Sequence, residues 1–180
     1  MIRQLFAALG VGALLSACAS TPPTIPPVAS VDLPRFMGDW YVIAQIPTYL
    51  ERQAYDSVES YRLDDDGKIR TTFRYRNGSA DAPLKTMEPV GRVVPGTNNA
   101  VWEMQFVWPI QAEYVIVDLA PDYSRTIVGR SKRDYVWLMA RTPSLPAPEL
   151  ATAIEKIRTL GYDTTKLRMV PQAAAGKPTP

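Results

Sequence analysis

From Asp39 onward, apolar and polar side chains alternate along the chain, and Gly, Pro, Asn and Asp interrupt the alternation at short intervals. Successive side chains of a strand point to opposite faces, so a period of two marks half-buried strands separated by turns. Lys68 to Arg76 is the clearest case. Ile69, Thr71, Phe73 and Tyr75 fall on one face, and Lys68, Arg70, Thr72, Arg74 and Arg76 fall on the other. The basic face belongs outside, because an unpaired charge is costly to bury. The same reasoning predicts strands over Asp39 to Pro47, Tyr55 to Leu63, Leu84 to Val94, Ala100 to Trp108, Ala112 to Leu119, Ser124 to Ser131 and Asp134 to Arg141. Asp66-Gly67 and Asn77-Gly78 supply hairpin turns, since such pairs adopt the left-handed backbone that a tight reversal needs. The acidic run Asp64, Asp65, Asp66 lacks the ligand spacing of a calcium loop and reads as a solvated turn. Eight short strands with turn residues between neighbours predict an all-β fold: an eight-stranded antiparallel up-and-down barrel, which removes sheet edges by closure.

Helical periodicity occurs once, over Pro148 to Leu160. Pro148 suits the first helical position, Glu149 favours the positive end of the helix dipole, and Gly161 stops the helix. Leu150, Ile154, Ile157 and Leu160 form its apolar stripe, which predicts a C-terminal helix packed on the outside of the barrel. Lys166 to Val170 is a candidate final strand, and the Pro/Ala/Gly-rich tail over 172–180 is expected to be disordered.

The N-terminus changes the picture. Arg3 is followed by an apolar run from Leu5 to Leu15, too short for a membrane-spanning helix but laid out as a secretory signal over 1–17. Leu15, Ser16, Ala17 and Cys18 match the bacterial lipobox. The Cys18 thiolate would take a diacylglyceryl group before cleavage, and several acyl chains anchor a protein durably. Ala19, rather than Asp, follows the Cys, which by resemblance to bacterial sorting rules favours the outer membrane. The stretch 18–31 reads as a proline-rich tether in extended conformation, leaving a barrel domain over 32–171.

Composition then narrows the function. The 180 residues suit one domain with tails, and 46% apolar residues suit a packed core. With 20 Lys and Arg against 18 Asp and Glu, the chain lacks the basic excess of a nucleic-acid binder. There is no His, and the single Cys permits no intramolecular disulfide. With no activated nucleophile and no glycine-rich phosphate loop, the chain is read as a non-enzyme needing no cofactor and no metal. An eight-stranded barrel is just wide enough to hold one small ligand. Trp102, Met104, Phe106 and Trp108 share a face of their strand and, with Phe73 and Tyr75, would wall a cavity suited to an acyl chain or a flat hydrophobe. Tyr114, on the strand carrying Ile116, could offer its hydroxyl to a carboxylate or phosphate. The alternative is that these rings simply fill a closed core.

Three stretches carry a family resemblance. Gly38, Asp39 and Trp40 run into a strand rich in aromatic and β-branched residues; Ala120, Pro121, Asp122, Tyr123 and Ser124 form a turn between strands; Tyr135 to Pro143 ends a strand on Arg141. In this order and spacing they resemble the three signature regions of the lipocalins, and the last most resembles the bacterial outer-membrane lipoprotein lipocalins, which are similar to apolipoprotein D. The resemblance covers about Asp32 to Val170. It implies that Trp40 closes one end of the barrel with Arg141 across its ring, so that Gly38, Trp40, Asp122, Tyr123 and Arg141 are structural. It also implies a lipid-type ligand. The expectation is an outer-membrane-anchored, periplasm-facing lipocalin that binds and stores or carries fatty acids, lysophospholipids or similar amphiphiles, with a homodimer allowed. The alternative is an envelope lipoprotein whose filled barrel serves as a structural or interaction scaffold.

Overall fold

The computed structural model describes residues 25–107 and 109–173. Cys18, the signal segment, most of the proposed tether, Trp108 and the tail beyond 173 lie outside the described residues. Ten strands form one antiparallel sheet: β1 (Gly38–Ile46), β2 (Ala54–Leu63), β3 (Lys68–Asn77), β4 (Leu84–Met87), β5 (Val90–Val93), β6 (Val101–Val107), β7 (Ile110–Leu119), β8 (Arg125–Gly129), β9 (Val136–Ala140) and β10 (Arg168–Met169). Pairing of β9 back onto β1 closes the sheet. β4 pairs with the far half of β3 and β5 with its near half, so the two are one barrel strand interrupted at Glu88-Pro89. The barrel is therefore eight-stranded, as the turn pattern predicts. The interruption has a local cause: Pro89 has no N–H to give to a ladder, and its carbonyl instead accepts the Thr71 amide. β10 pairs with β1 beyond the closed circuit.

The four-residue helix α1 (Leu33–Phe36) crosses one end, started by Asp32 accepting the Arg35 amide. Above it Trp40 is fully buried, its indole N–H donating to the Phe36 carbonyl at 2.8 Å. The Arg141 guanidinium lies 3.7 Å from the centre of the Trp40 ring and donates to the carbonyls of Arg35, Phe36, Met37 and Asp39. A cation over a ring and a fork of donors meet here, so one side chain fastens the cap to the barrel wall. Gly38 enters β1 at φ +93° with Arg141 3.4 Å from where a Cβ would stand. Asp122 shapes the β7–β8 turn by accepting the amide and hydroxyl of Ser124. The Tyr123 hydroxyl accepts the Asp32 amide while Arg35 covers its ring. The five signature residues thus lock the closed end.

The helix α2 (Ala147–Thr159) packs outside, seating Ala153 and Ile157 against Ile43, Val115, Val117, Ile127, Val136 and Leu138. Strands β1, β7, β8 and β9 therefore bury both faces, one towards the lumen and one towards α2. Their near-continuous apolar runs, such as Val136–Ala140, have this cause. β3 has solvent outside and keeps the strict alternation. One difference from expectation lies at the N-terminus. Residues 25–31 do not hang free but lie along the barrel wall: the Val31 amide donates to Asn98 and the Val28 amide to Ile116, while Ile25 is buried beside Gly129 and Tyr162. Asn98 sits in the turn between β5 and β6 at the closed end, and Gly129 ends β8 at the opposite, open end.

Candidate ligand cavity

The lumen divides into a filled floor and a small chamber. In the floor Trp102 stacks on Tyr114 with centroids 4.8 Å apart, and Tyr61 meets both edge-on at 5.6 and 6.2 Å. Phe36 closes the layer beneath, touching Trp40, Tyr61 and Trp102. The Trp102 indole N–H donates to the Asn99 carbonyl, so its polar edge is satisfied. Above this floor lies a cavity of about 30 Å³, lined by Glu51, Glu59, Thr71, Phe73, Pro89, Met104, Phe106, Ala112, Glu113, Tyr114 and Trp137. That is room for about two waters and an order of magnitude below the ~300–1,000 Å³ of a small-molecule pocket.

Its chemistry centres on Glu59. This side chain alternates into the lumen from β2 and keeps part of its surface accessible to the cavity. The Tyr61 hydroxyl donates to its Oε2, and the Tyr114 and Tyr61 hydroxyls lie 2.7 Å apart. Since Tyr61 spends its one proton on Glu59, Tyr114 donates to Tyr61, and the three form a relay from floor to chamber. Burial, reinforced by the charge of Glu51, pushes the Glu59 carboxyl up to about 7 against the opposing pull of the Tyr61 hydrogen bond. The same burial, with Glu59 charge added, lifts both tyrosine hydroxyls well above their usual range. Thr71 is buried, lines the chamber, and its hydroxyl has no hydrogen-bond partner.

Glu51 covers the opposite side. The β1–β2 connection folds over the mouth as a 3-10 turn, Tyr49–Glu51, carrying Glu51 inward. Its Oε2 accepts the Trp137 indole N–H at 2.9 Å, and its backbone carbonyl accepts the Gln45 amide at 3.1 Å. Burial raises the Glu51 carboxyl, partly offset by hydrogen bonds from Trp137 and Thr48. Around this lid the rim carries large exposed apolar side chains, Tyr49, Leu50, Leu84, Phe106 and Ile110, with exposed Arg52 and Lys85 among them, all at the open end of the barrel.

The predicted cavity residues distribute unevenly over this arrangement. Phe73, Met104 and Phe106 line the chamber, though Phe106 is a rim residue, 47% exposed, beside a register shift between Gln105 and Val107. Tyr75 is buried and stacks on Phe73 with centroids 4.9 Å apart. Trp102 and Ile116 belong to the packed interior below the chamber. Tyr114 lines the chamber, yet its hydroxyl is already engaged by Tyr61 and is not held ready for a ligand anion, contrary to expectation. Glu51, Glu59, Thr71 and Trp137 were not singled out. For Glu59 a signal existed, since it shares the parity of Tyr61 and Leu63 in its strand. For Glu51, in a loop, there was none.

Comparison with known proteins agrees with this geometry. The family model described as a lipocalin-like domain matches residues 31–172. The chain is 30% identical over 177 residues to outer membrane lipoprotein Blc of Citrobacter freundii, covering 97% of this chain and 99% of that protein. It is 29% identical to outer membrane lipoprotein Blc of Vibrio cholerae, over 88% of this chain and 93% of that one. Among solved structures, insecticyanin from the tobacco hornworm Manduca sexta superimposes with a TM-score of 0.67 at 19% identity, covering 86% and 88% of the two chains. Lobster apocrustacyanin A1 gives 0.62 at 14%, covering 84% and 92%; both show the shared fold. With the closed barrel, its fastened end and its outer helix, these matches establish that the chain belongs to the lipocalin family.

Proposed function

We propose that this lipocalin binds a small single-chain amphiphile at the outer membrane, anchored there through Cys18. The observation that carries the reading is a lumen chamber walled by Phe73, Met104, Phe106 and Trp137 beneath a lid that, among the described residues, is held from outside the loop by side-chain hydrogen bonds of Trp137 and Gln45. In its closed form the chamber admits about two waters, so uptake requires the lid and Phe106 to swing aside; a short 3-10 turn is the cheapest element to move. The anchor supports the same reading. Six residues separate Cys18 from Ile25, which lies at the open end of the barrel. Fully extended they reach roughly 20 Å, which would keep the mouth near the bilayer that supplies the ligand, with the barrel on the periplasmic face. The relatives are named as outer membrane lipoproteins, in keeping with this placement.

The small size of the chamber favours a second reading, a filled barrel acting as an envelope scaffold. Native mass spectrometry of the gently extracted protein separates the two. Carriage predicts a co-purified lipid, or uptake of an added twelve- to sixteen-carbon amphiphile at one molecule per barrel. A clean apo mass that takes up no such amphiphile would leave the scaffold.

A further inference from the structure

The ligand-binding reading leaves open which head group the chamber prefers. We infer that the polar side of this chamber selects a head group that donates hydrogen bonds, a primary ammonium above all, over the carboxylate of a fatty acid. The inference rests on the binding reading and adds a ligand class to it.

Three acceptors line one small space. Glu59 has Oε2 occupied by Tyr61 and Oε1 without a partner among the described residues. Thr71 is 3% exposed and its buried hydroxyl has no hydrogen-bond partner among the described residues, so its hydrogen-bonding capacity is unused there. Glu51 approaches from the lid, its carboxylate already accepting from Trp137 and Thr48. The remaining polar groups of the lining are already committed: the Glu113 carboxylate accepts the Ser131 amide and hydroxyl at 2.7 and 2.8 Å, and the Tyr114 hydroxyl pairs with Tyr61. No Lys or Arg is among the lining residues. An anion placed here meets two carboxyl groups in an apolar surround with no cation to receive it, which is unfavourable. An ammonium meets the reverse: Glu59 Oε1 can accept from it, Thr71 and Glu51 stand in the same lining, and an ion pair removed from water is stronger than a surface pair. The upward shift of Glu59 has its cause in the same surroundings, burial first and the neighbouring Glu51 charge after it.

Three amphiphiles of one chain length test this. Dodecylamine, dodecanol and dodecanoate, each below its aggregation threshold, are titrated at pH 8 against the folded protein by calorimetry or by displacement of a fluorescent apolar probe. The amine is ionised at this pH, as is Glu59. The expected order is amine, then alcohol, then carboxylate, with the amine favoured over the carboxylate by roughly tenfold or more, the size of one charge-assisted hydrogen bond. Glu59→Gln should remove most of that preference, with dodecylamine losing more affinity than dodecanol. Glu51→Gln, read the same way, serves should the first variant fail to fold. Carboxylate binding equal to or tighter than amine binding overturns the inference while leaving the binding reading intact. An amine preference that survives both substitutions also overturns it. Failure of all three compounds to bind overturns the binding reading itself, and this inference with it.

Discussion

Burial inside the barrel lifts the Glu59 carboxyl from its usual 4.5 to about 7, which makes the folded state the stronger proton binder between those values. Stability therefore falls as pH rises through this window, and the loss is complete above about 7. The shift corresponds to about 3–4 kcal/mol, at about 1.36 kcal/mol per unit. Glu51, raised by burial as well, acts in the same direction. The exposed carboxylates held low by neighbours, Asp66, Asp122, Glu155 and Asp163, titrate below the window and leave it clear. Urea unfolding followed from pH 4.5 to pH 8 should show this decline, and Glu59→Gln should flatten it and be the more stable protein at pH 8. A level profile for the natural protein would remove Glu59 from the interior. At the closed end the direction is opposite: Trp40→Ala deletes a fully buried ring and the seat of Arg141, and should cost about 3–5 kcal/mol. A melting temperature unchanged by that substitution would contradict the closure described above. Trp40 was legible in the sequence because its motif sits at a strand mouth. Glu59 was harder to read, because a carboxylate in an alternating strand that also carries Asp56 resembles a solvent position unless the parity of Tyr61 is followed back along the chain.

Strands and helix were legible in type and order because period-two and helical spacing are properties of neighbouring residues. Where they bend was not. The shifts of register between Val42 and Ala44 in β1, between Tyr55 and Val58 in β2, and between Gln105 and Val107 in β6 each move side chains relative to the lumen. In β1, Trp40 and Val42 face the interior, whereas Ala44 and Ile46 join the layer under α2. No local pattern announces such a shift, since it is fixed by strand curvature around the closed barrel. The seating of α2 also depends on a residue distant in sequence. At Gly129 a Cβ would collide with the Tyr162 hydroxyl and ring, and Ile25 stands 3.4 Å away. That vacancy lets Tyr162 reach the Arg130 backbone, accepting its amide and donating to its carbonyl. Gly129→Ala should therefore lower stability by about 1–3 kcal/mol through overpacking. Tyr162→Phe alone should cost about 0.5–1.5 kcal/mol for the lost hydrogen bonds. Because removing the hydroxyl makes room for the new methyl, the double variant should be less destabilised than the sum of the two. Strict additivity in the thermal unfolding of the four proteins would show that the two residues do not share this space.

At the scale of the molecule, the features at the two ends are opposite in kind. The closed end carries the Asp64–Asp66 turn, with Asp64 paired to Arg62 and Arg70, and is polar and charged. The open end carries Tyr49, Leu50, Leu84, Phe106 and Ile110, with Tyr49 77% and Ile110 69% exposed. Exposed apolar side chains with basic Arg52 and Lys85 among them suit a lipid surface, which offers both acyl chains and anionic head groups. The chain leads to the same end, because residues 25–31 run up the wall from Asn98 at the closed turn to Gly129 at the mouth. With the Cys18 anchor of the proposed function in place, both facts orient the mouth towards the bilayer. The ten-residue hairpin strands β2 and β3 set the opposite turn about 30 Å further away. Cys18 is the only cysteine of the chain, so once it is acylated an introduced cysteine is the sole free thiol and can be labelled selectively. We expect a fluorophore on Ile110→Cys to be quenched strongly by lipids carrying a quencher, and the same fluorophore on Asp65→Cys to be quenched weakly, in vesicles bearing the lipidated protein. Stronger quenching at Asp65 would invert the orientation and separate the mouth from its lipid supply. Equal quenching at both positions would mean that the short spacer does not orient the barrel, leaving the apolar rim without its bilayer.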